Sequence, residues 1–119
     1  MSGNWTNTTV ELSAAIKELR GGAPAVMQSF SALAQAALKA DALDTKTKEL
    51  IALAIAVATR CDGCVAFHAE AAVKQGATRQ EVLETMGMAV YMGAGPSVMY
   101  AAQALEAYDE FCDVKARSA

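Results

Sequence analysis

The sequence predicts an all-α chain: a single-domain bundle of about six helices that associates into oligomers. Three observations carry that expectation. Alanine, the strongest helix former and a weak strand former, occurs 27 times in 119 residues. Glycine (8), proline (2) and aromatic residues (6%) are scarce, which disfavours a β-sandwich or barrel. Helix start and stop signals recur along the whole chain. The length suits one domain with one core, and 54% apolar against 19% charged residues excludes a disordered chain.

The elements follow in order. Thr8 with Glu11 forms a capping-box pattern, predicting a first helix over 8–20 that Gly21-Gly22 ends. Pro24 suits the first turn of a second helix, over 24–40. Asp44 is a good N-cap for a third, over 45–59. Residues 50–58 alternate large and small, but alanine is apolar too, so the alternation is not strand patterning. A helix apolar on every side should be buried, and subunit contacts would supply cover that one thin layer of helices cannot. Asp62 is the expected cap of a fourth helix, which runs to Gln75 and stops at Gly76. Thr78 with Glu81 is a second capping box, opening a fifth helix that ends in Gly93-Ala94-Gly95. Pro96 starts the sixth, reaching about Asp113. Residues 114–119 read as a frayed tail.

Several function classes fall away. Net charge is −3, and the basic residues form no cluster of the kind phosphate binding needs. The start, Met1-Ser2-Gly3-Asn4-Trp5-Thr6, has neither the basic head nor the apolar core of a signal peptide. The longest apolar stretch, 50–58, is far below the ~20 residues of a spanning helix. Asn4-Trp5-Thr6 and Asn7-Thr8-Thr9 match the glycosylation pattern, but without a secretion signal they are read as chance. Three cysteines do not make a disulfide framework, so the expected location is cytoplasmic.

The chemistry gathers in one window. The chain has one histidine, His68, and three cysteines, Cys61, Cys64 and Cys112. Cys61-Asp62-Gly63-Cys64 is a C-x-x-C motif with His68 four residues on. With Cys64 in the first turn of a helix, Cys64 and His68 share a face. Such cysteines can close a disulfide with little backbone movement. The helix dipole favours a thiolate there, and a histidine one turn away can take its proton. The same residues also admit other uses. Free cysteine often serves as core packing. Zinc would need a fourth ligand beyond Cys61, Cys64 and His68, from Cys112 or a carboxylate. A thioredoxin-type redox site would need strands that the sequence lacks. Glu49, in an otherwise apolar helix, either edges that helix or orients His68. Met86, Met88, Met92 and Met99, with Tyr91 and Tyr100, are read as core or subunit interface. Cys112 is read as structural, and Glu70, Glu81 and Glu84 as solvated faces or caps.

Glu49, eleven residues, Cys61-x-x-Cys64, three residues, His68 together resemble the signature of the alkylhydroperoxidase AhpD-like proteins of the carboxymuconolactone decarboxylase superfamily. The flanking Asp44-Thr45-Lys46-Thr47-Lys48-Glu49, Gly76-Ala77-Thr78 with Glu81 and Glu84, and Gly93-Ala94-Gly95-Pro96 are similar too. The likeness spans about 24–111 of a domain read as 1–119. It implies an all-helical fold in trimers or hexamers and thiol-dependent reduction of hydroperoxides. It implies Cys64 as the peroxidatic cysteine, Cys61 as the resolving one, and His68 with Glu49 as the proton relay. No flavin or nicotinamide motif is visible and zinc lacks a fourth ligand, so no bound cofactor or resident metal is expected, and the resemblance implies an external dithiol such as a lipoyl group on a partner enzyme as reductant. Some relatives carry a second histidine where this chain has Gly63, so the relay here rests on His68. Two alternatives stand beside this: a non-catalytic redox-sensing or metal-binding helical module, and a decarboxylase-like activity on the same fold.

Overall fold

A computed structural model describes residues 4–118. Met1, Ser2 and Gly3 of the amino-terminal stretch and Ala119 of the expected tail lie outside them. Five helices follow one another: α1 (Trp5–Gly22), α2 (Pro24–Leu38), α3 (Thr45–Thr59), α4 (Asp62–Lys74) and α5 (Arg79–Ser118). Among the described residues there is no strand, and no helix is long and apolar enough to cross a membrane. The fifth and sixth expected helices form one element, broken at Ala94 (φ 55°, ψ −142°) with Pro96 just beyond. Gly93 is required at that break, because Ser97 packs against it and leaves no room for a side chain.

Where a cap is local in sequence, the expected boundary holds. Asp44 accepts from the Thr47 N–H at 2.8 Å and α3 spans 45–59 as read. Pro24 occupies the first turn of α2. Thr78 and Glu81 cap reciprocally, at 2.8 and 3.1 Å. Lys46 reaches the same Glu81 at 2.9 Å, tying the start of α3 to the start of α5. Gly76 (φ 80°) closes α4.

Other boundaries differ. The Thr8–Glu11 box does not start α1, which begins at Trp5 and runs through both glycines. Thr8 instead donates its hydroxyl back to the Asn4 carbonyl at 3.3 Å. Cys61, not Asp62, is the N-cap of α4. The expected tail is helical to Ser118.

The true cap of α1 comes from the far end of the chain. Glu110 accepts from the Trp5 N–H at 3.2 Å, and from the Thr6 N–H and hydroxyl at 2.7 Å each. Trp5 is 1% exposed, and its indole N–H donates to Glu106 at 3.0 Å. Burial alone would push the Glu110 carboxyl up, but the bonds from Thr6 and Trp5, with Arg117 nearby, hold it below its ordinary 4.5. A carboxylate held low adds stability above its ordinary value and loses it as pH falls through the lowered one. Glu110→Gln is therefore expected to cost about 1–2 kcal/mol in urea titration at pH 7. The cost should shrink as pH falls through the lowered Glu110 value, where the native carboxyl takes up its proton.

The core lies between α3, α4 and α5. Leu50, Leu53, Ala56 and Val57 of α3 face Val65, Ala66, Ala69 and Ala72 of α4 and an inward stripe of α5 from Val82 to Phe111. The alanines at these contacts let the helix axes approach closely. They explain much of the composition.

The remaining apolar surface is left open by the single chain. Helix α3 is not covered all round: Ile51 and Ile55 are exposed. Met86 is core, but Met88, Met92 and Tyr91 are exposed, and Met88 and Met92 with α3 border a groove of about 450 Å³ that runs along Ala54 and Ile55 to Arg60. Helix α2 has no buried residue, and its Val26, Phe30 and Leu33 are all more than half exposed.

Candidate active site

Two helices and the turn between them build the site. At the end of α3, Arg60 takes the left-handed conformation (φ 56°), and the Cys61 N–H returns to the Ala56 carbonyl at 3.1 Å. That tight reversal sets Cys61 at the start of α4, with no spare residue between the helices. Cys61 and Cys64 are joined as a disulfide, their Cα atoms 5.2 Å apart. The Cys64 N–H donates to the Cys61 sulfur at 3.2 Å. Sulfur thus fills the capping role usually given to Asp, Asn, Ser or Thr.

Glu49 starts the buried run of α3 and is only 5% exposed. A carboxylate in that place is costly unless partnered. Its partner is His68: Nδ1 lies 2.7 Å from Glu49 Oε1. An ionised carboxylate only accepts, so Nδ1 carries the hydrogen and Nε2 is left free for proton transfer. The histidine side chain is a third exposed, so this buried acid holds a ring that still meets solvent. Cys64 lies one turn before His68 on α4, on the same face. Among the described residues no buried side-chain nitrogen or oxygen lacks a partner.

The structure thus joins the four residues singled out in the sequence as two pairs, Glu49 with His68 between α3 and the middle of α4 and Cys61 with Cys64 at the start of α4, linked by the single helical turn from Cys64 to His68. Cys112 does not join them. It lines a hollow with Val73, Gly76 and Tyr108, at the opposite end of α4. From Cys64 to Val73 the helix rises about 13 Å, too far for a shared metal ion. Among the described residues no cluster of three His, Cys, Asp or Glu side chains could hold one.

Tyr100 is an addition to the site. Expected as core or interface, it lies near enough to Asp62, between the two cysteines, to feel its carboxylate. The neighbouring Asp62 carboxylate, then burial, pushes the phenol above its ordinary 10.0, with Arg60 opposing. The only sequence signal is its register after Pro96, which turns this face of α5 toward the motif.

Comparison with known proteins fits this geometry. The sequence profile of the carboxymuconolactone decarboxylase family matches residues 24–107. The chain belongs to the carboxymuconolactone decarboxylase family. A crystal structure of the apo form of a family member from Legionella pneumophila is 55% identical, with a TM-score of 0.91, covering 93% of this chain and 99% of that one. A Thermotoga maritima member, for which a part in the antioxidative response has been suggested, is 25% identical with a TM-score of 0.82, over 92% of this chain and 94% of that one. Among curated proteins, an uncharacterised protein of Haemophilus influenzae is 43% identical over 105 residues, 88% of this chain and 93% of its own length. Protein 4 of the cox locus of Paracoccus denitrificans, also uncharacterised, is 36% identical over 98 residues, 82% and 88% of the two chains. The family fold includes AhpD-like peroxidases as well as decarboxylases, so membership gives the architecture and leaves the reaction to the site.

Proposed function

We propose that this family member is a thiol peroxidase that reduces hydroperoxides through the Cys61–Cys64 pair. The observation that carries the proposal is the buried Glu49–His68 bond of 2.7 Å, one helical turn from Cys64. A buried acid that orients a histidine beside a redox pair suits proton transfer and has no purpose in core packing.

The chemistry runs in two halves. With the pair reduced, His68 Nε2 takes the Cys64 proton, and Glu49 stabilises the imidazolium that forms. The Cys64 thiolate attacks the terminal peroxide oxygen, the O–O bond breaks, and the alkoxide leaves with the proton held by His68. Cys64 is now a sulfenic acid. The Cys61 thiol attacks it, releasing water and closing the disulfide. An external dithiol supplies two electrons and two protons to reopen it, through a mixed disulfide. Hydrogen bonding from the Cys64 N–H makes the Cys61 sulfur a good leaving thiolate in that exchange. A lipoyl group has the required dithiol chemistry, and a cytoplasmic setting would keep such a donor reduced. The test is peroxide consumption with dihydrolipoamide as donor. Turnover lost in Cys61→Ser and Cys64→Ser supports the proposal, and turnover unchanged in either excludes it.

The working unit we propose is a homo-oligomer, trimer or hexamer, with the groove between α3 and α5 as a contact. Ile51, Ile55, Met88 and Met92 expose an apolar face of the kind that marks interfaces. Ile55→Glu places a charge in that face and is expected to shift the protein toward monomer by light scattering at micromolar concentration. A wild-type protein that is already monomeric there contradicts it.

A further inference from the structure

Helix α1 reaches the redox motif at Leu12. Its inward stripe runs Trp5, Thr9, Leu12, Ile16, a spacing that puts all four on one face. The first two are buried and the next two half-buried. Leu12 lies directly over Gly63: a Cβ built on Gly63 would stand 2.7 Å from Leu12 Cδ1. Gly63 is thus the residue that lets α1 close on the C-x-x-C turn. The peptide joining Gly63 to Cys64 supplies the N–H that donates to the Cys61 sulfur at 3.2 Å. The far end of α1 is fixed by Trp5, Thr6, Glu106 and Glu110, as described above.

We propose that Leu12 is a positioning residue for the redox pair: by packing on Gly63 it holds the Gly63–Cys64 peptide so that its N–H points at the Cys61 sulfur. A hydrogen bond to sulfur favours the thiolate over the disulfide, since a charged acceptor gains more from it than a neutral one. Leu12 thereby biases the pair toward its reduced form and toward a reactive Cys61. This rests on the pair cycling between dithiol and disulfide, but not on peroxide being its oxidant.

Equilibration with dithiothreitol tests it. The reductant closes its own disulfide as the Cys61–Cys64 bond opens, so electrons and protons balance without peroxide. Leu12→Ala is expected to move the equilibrium toward the protein disulfide by about threefold to tenfold. In a Cys64→Ser, Cys112→Ser background it should slow alkylation of Cys61 at pH 7 by a similar factor. Ile16→Ala, one turn further along the same stripe, removes comparable packing without touching Gly63 and should leave both readouts within about twofold. Leu12→Val should shift them less, with the same sign, and replaces Leu12→Ala if that variant does not fold. No shift in the Leu12 variant, or an equal shift in Ile16→Ala, overturns the proposal. Loss of peroxidase activity in the wild type would leave these equilibria unaffected, so the two proposals fail separately.

Discussion

Cys64→Ser is expected to abolish hydroperoxide turnover, by at least about 10³-fold at saturating dithiol. A hydroxyl is a far weaker nucleophile than a thiolate toward peroxide oxygen, and the shared helical face with His68 belongs to position 64 alone. The helix itself should survive. Its N-cap is Cys61, whose sulfur accepts from the backbone N–H of residue 64, and serine at 64 keeps that N–H. Circular dichroism unchanged from wild type, with turnover gone, separates a chemical role from a folding one. Cys112→Ser serves as the control and should turn over normally, because Cys112 lies at the opposite end of α4.

His68→Ala and Glu49→Gln form the second pair. Loss of a general base costs about 10²–10⁴-fold, so His68→Ala should lower the rate of sulfenic acid formation within that range. Glu49→Gln keeps the shape and can still bond Nδ1, but it removes the charge that stabilises the imidazolium. Its effect should be smaller than that of His68→Ala. The double variant should be little worse than His68→Ala alone, because Glu49 acts through the histidine. Additive losses in stopped-flow oxidation would show that Glu49 acts by another route.

What could be read from the sequence was what is local. Asp44 with Thr47, Pro24, and Thr78 with Glu81 satisfy helix ends within four residues, so their helices start where the sequence placed them. The cap of α1 comes from Glu110, over a hundred residues away, and no window around Thr8 contains it. At α4 a cysteine does what an aspartate usually does, so the boundary was read one residue late. Ile51 and Ile55 lie on a face of α3 that this chain leaves open, the face for which the apolar composition called for cover from subunit contacts. At the site, Cys64 and His68 were legible as one face of one helix, with Cys61 at its start. Glu49 was legible as one of two alternatives, because an acid beside Lys46 and Lys48 reads equally well as solvated, and the family resemblance favoured the inward one. Only packing decides that it points inward to His68. Leu12 against Gly63, and Tyr100 beside Asp62, depend on how separate helices meet and have no local signature.

The central claim is that peroxide oxidises Cys64 and Cys61 closes on it, with His68 and Glu49 moving the proton. The most direct measurement is to treat the reduced protein with one equivalent of an organic hydroperoxide. Sampling within seconds and mapping cysteine products by mass spectrometry then shows what formed. The expected result is a Cys61–Cys64 disulfide as the dominant product in wild type, and a trapped Cys64 sulfenic acid in Cys61→Ser. A reduced pair after that exposure, or oxidation confined to Cys112, would contradict the account.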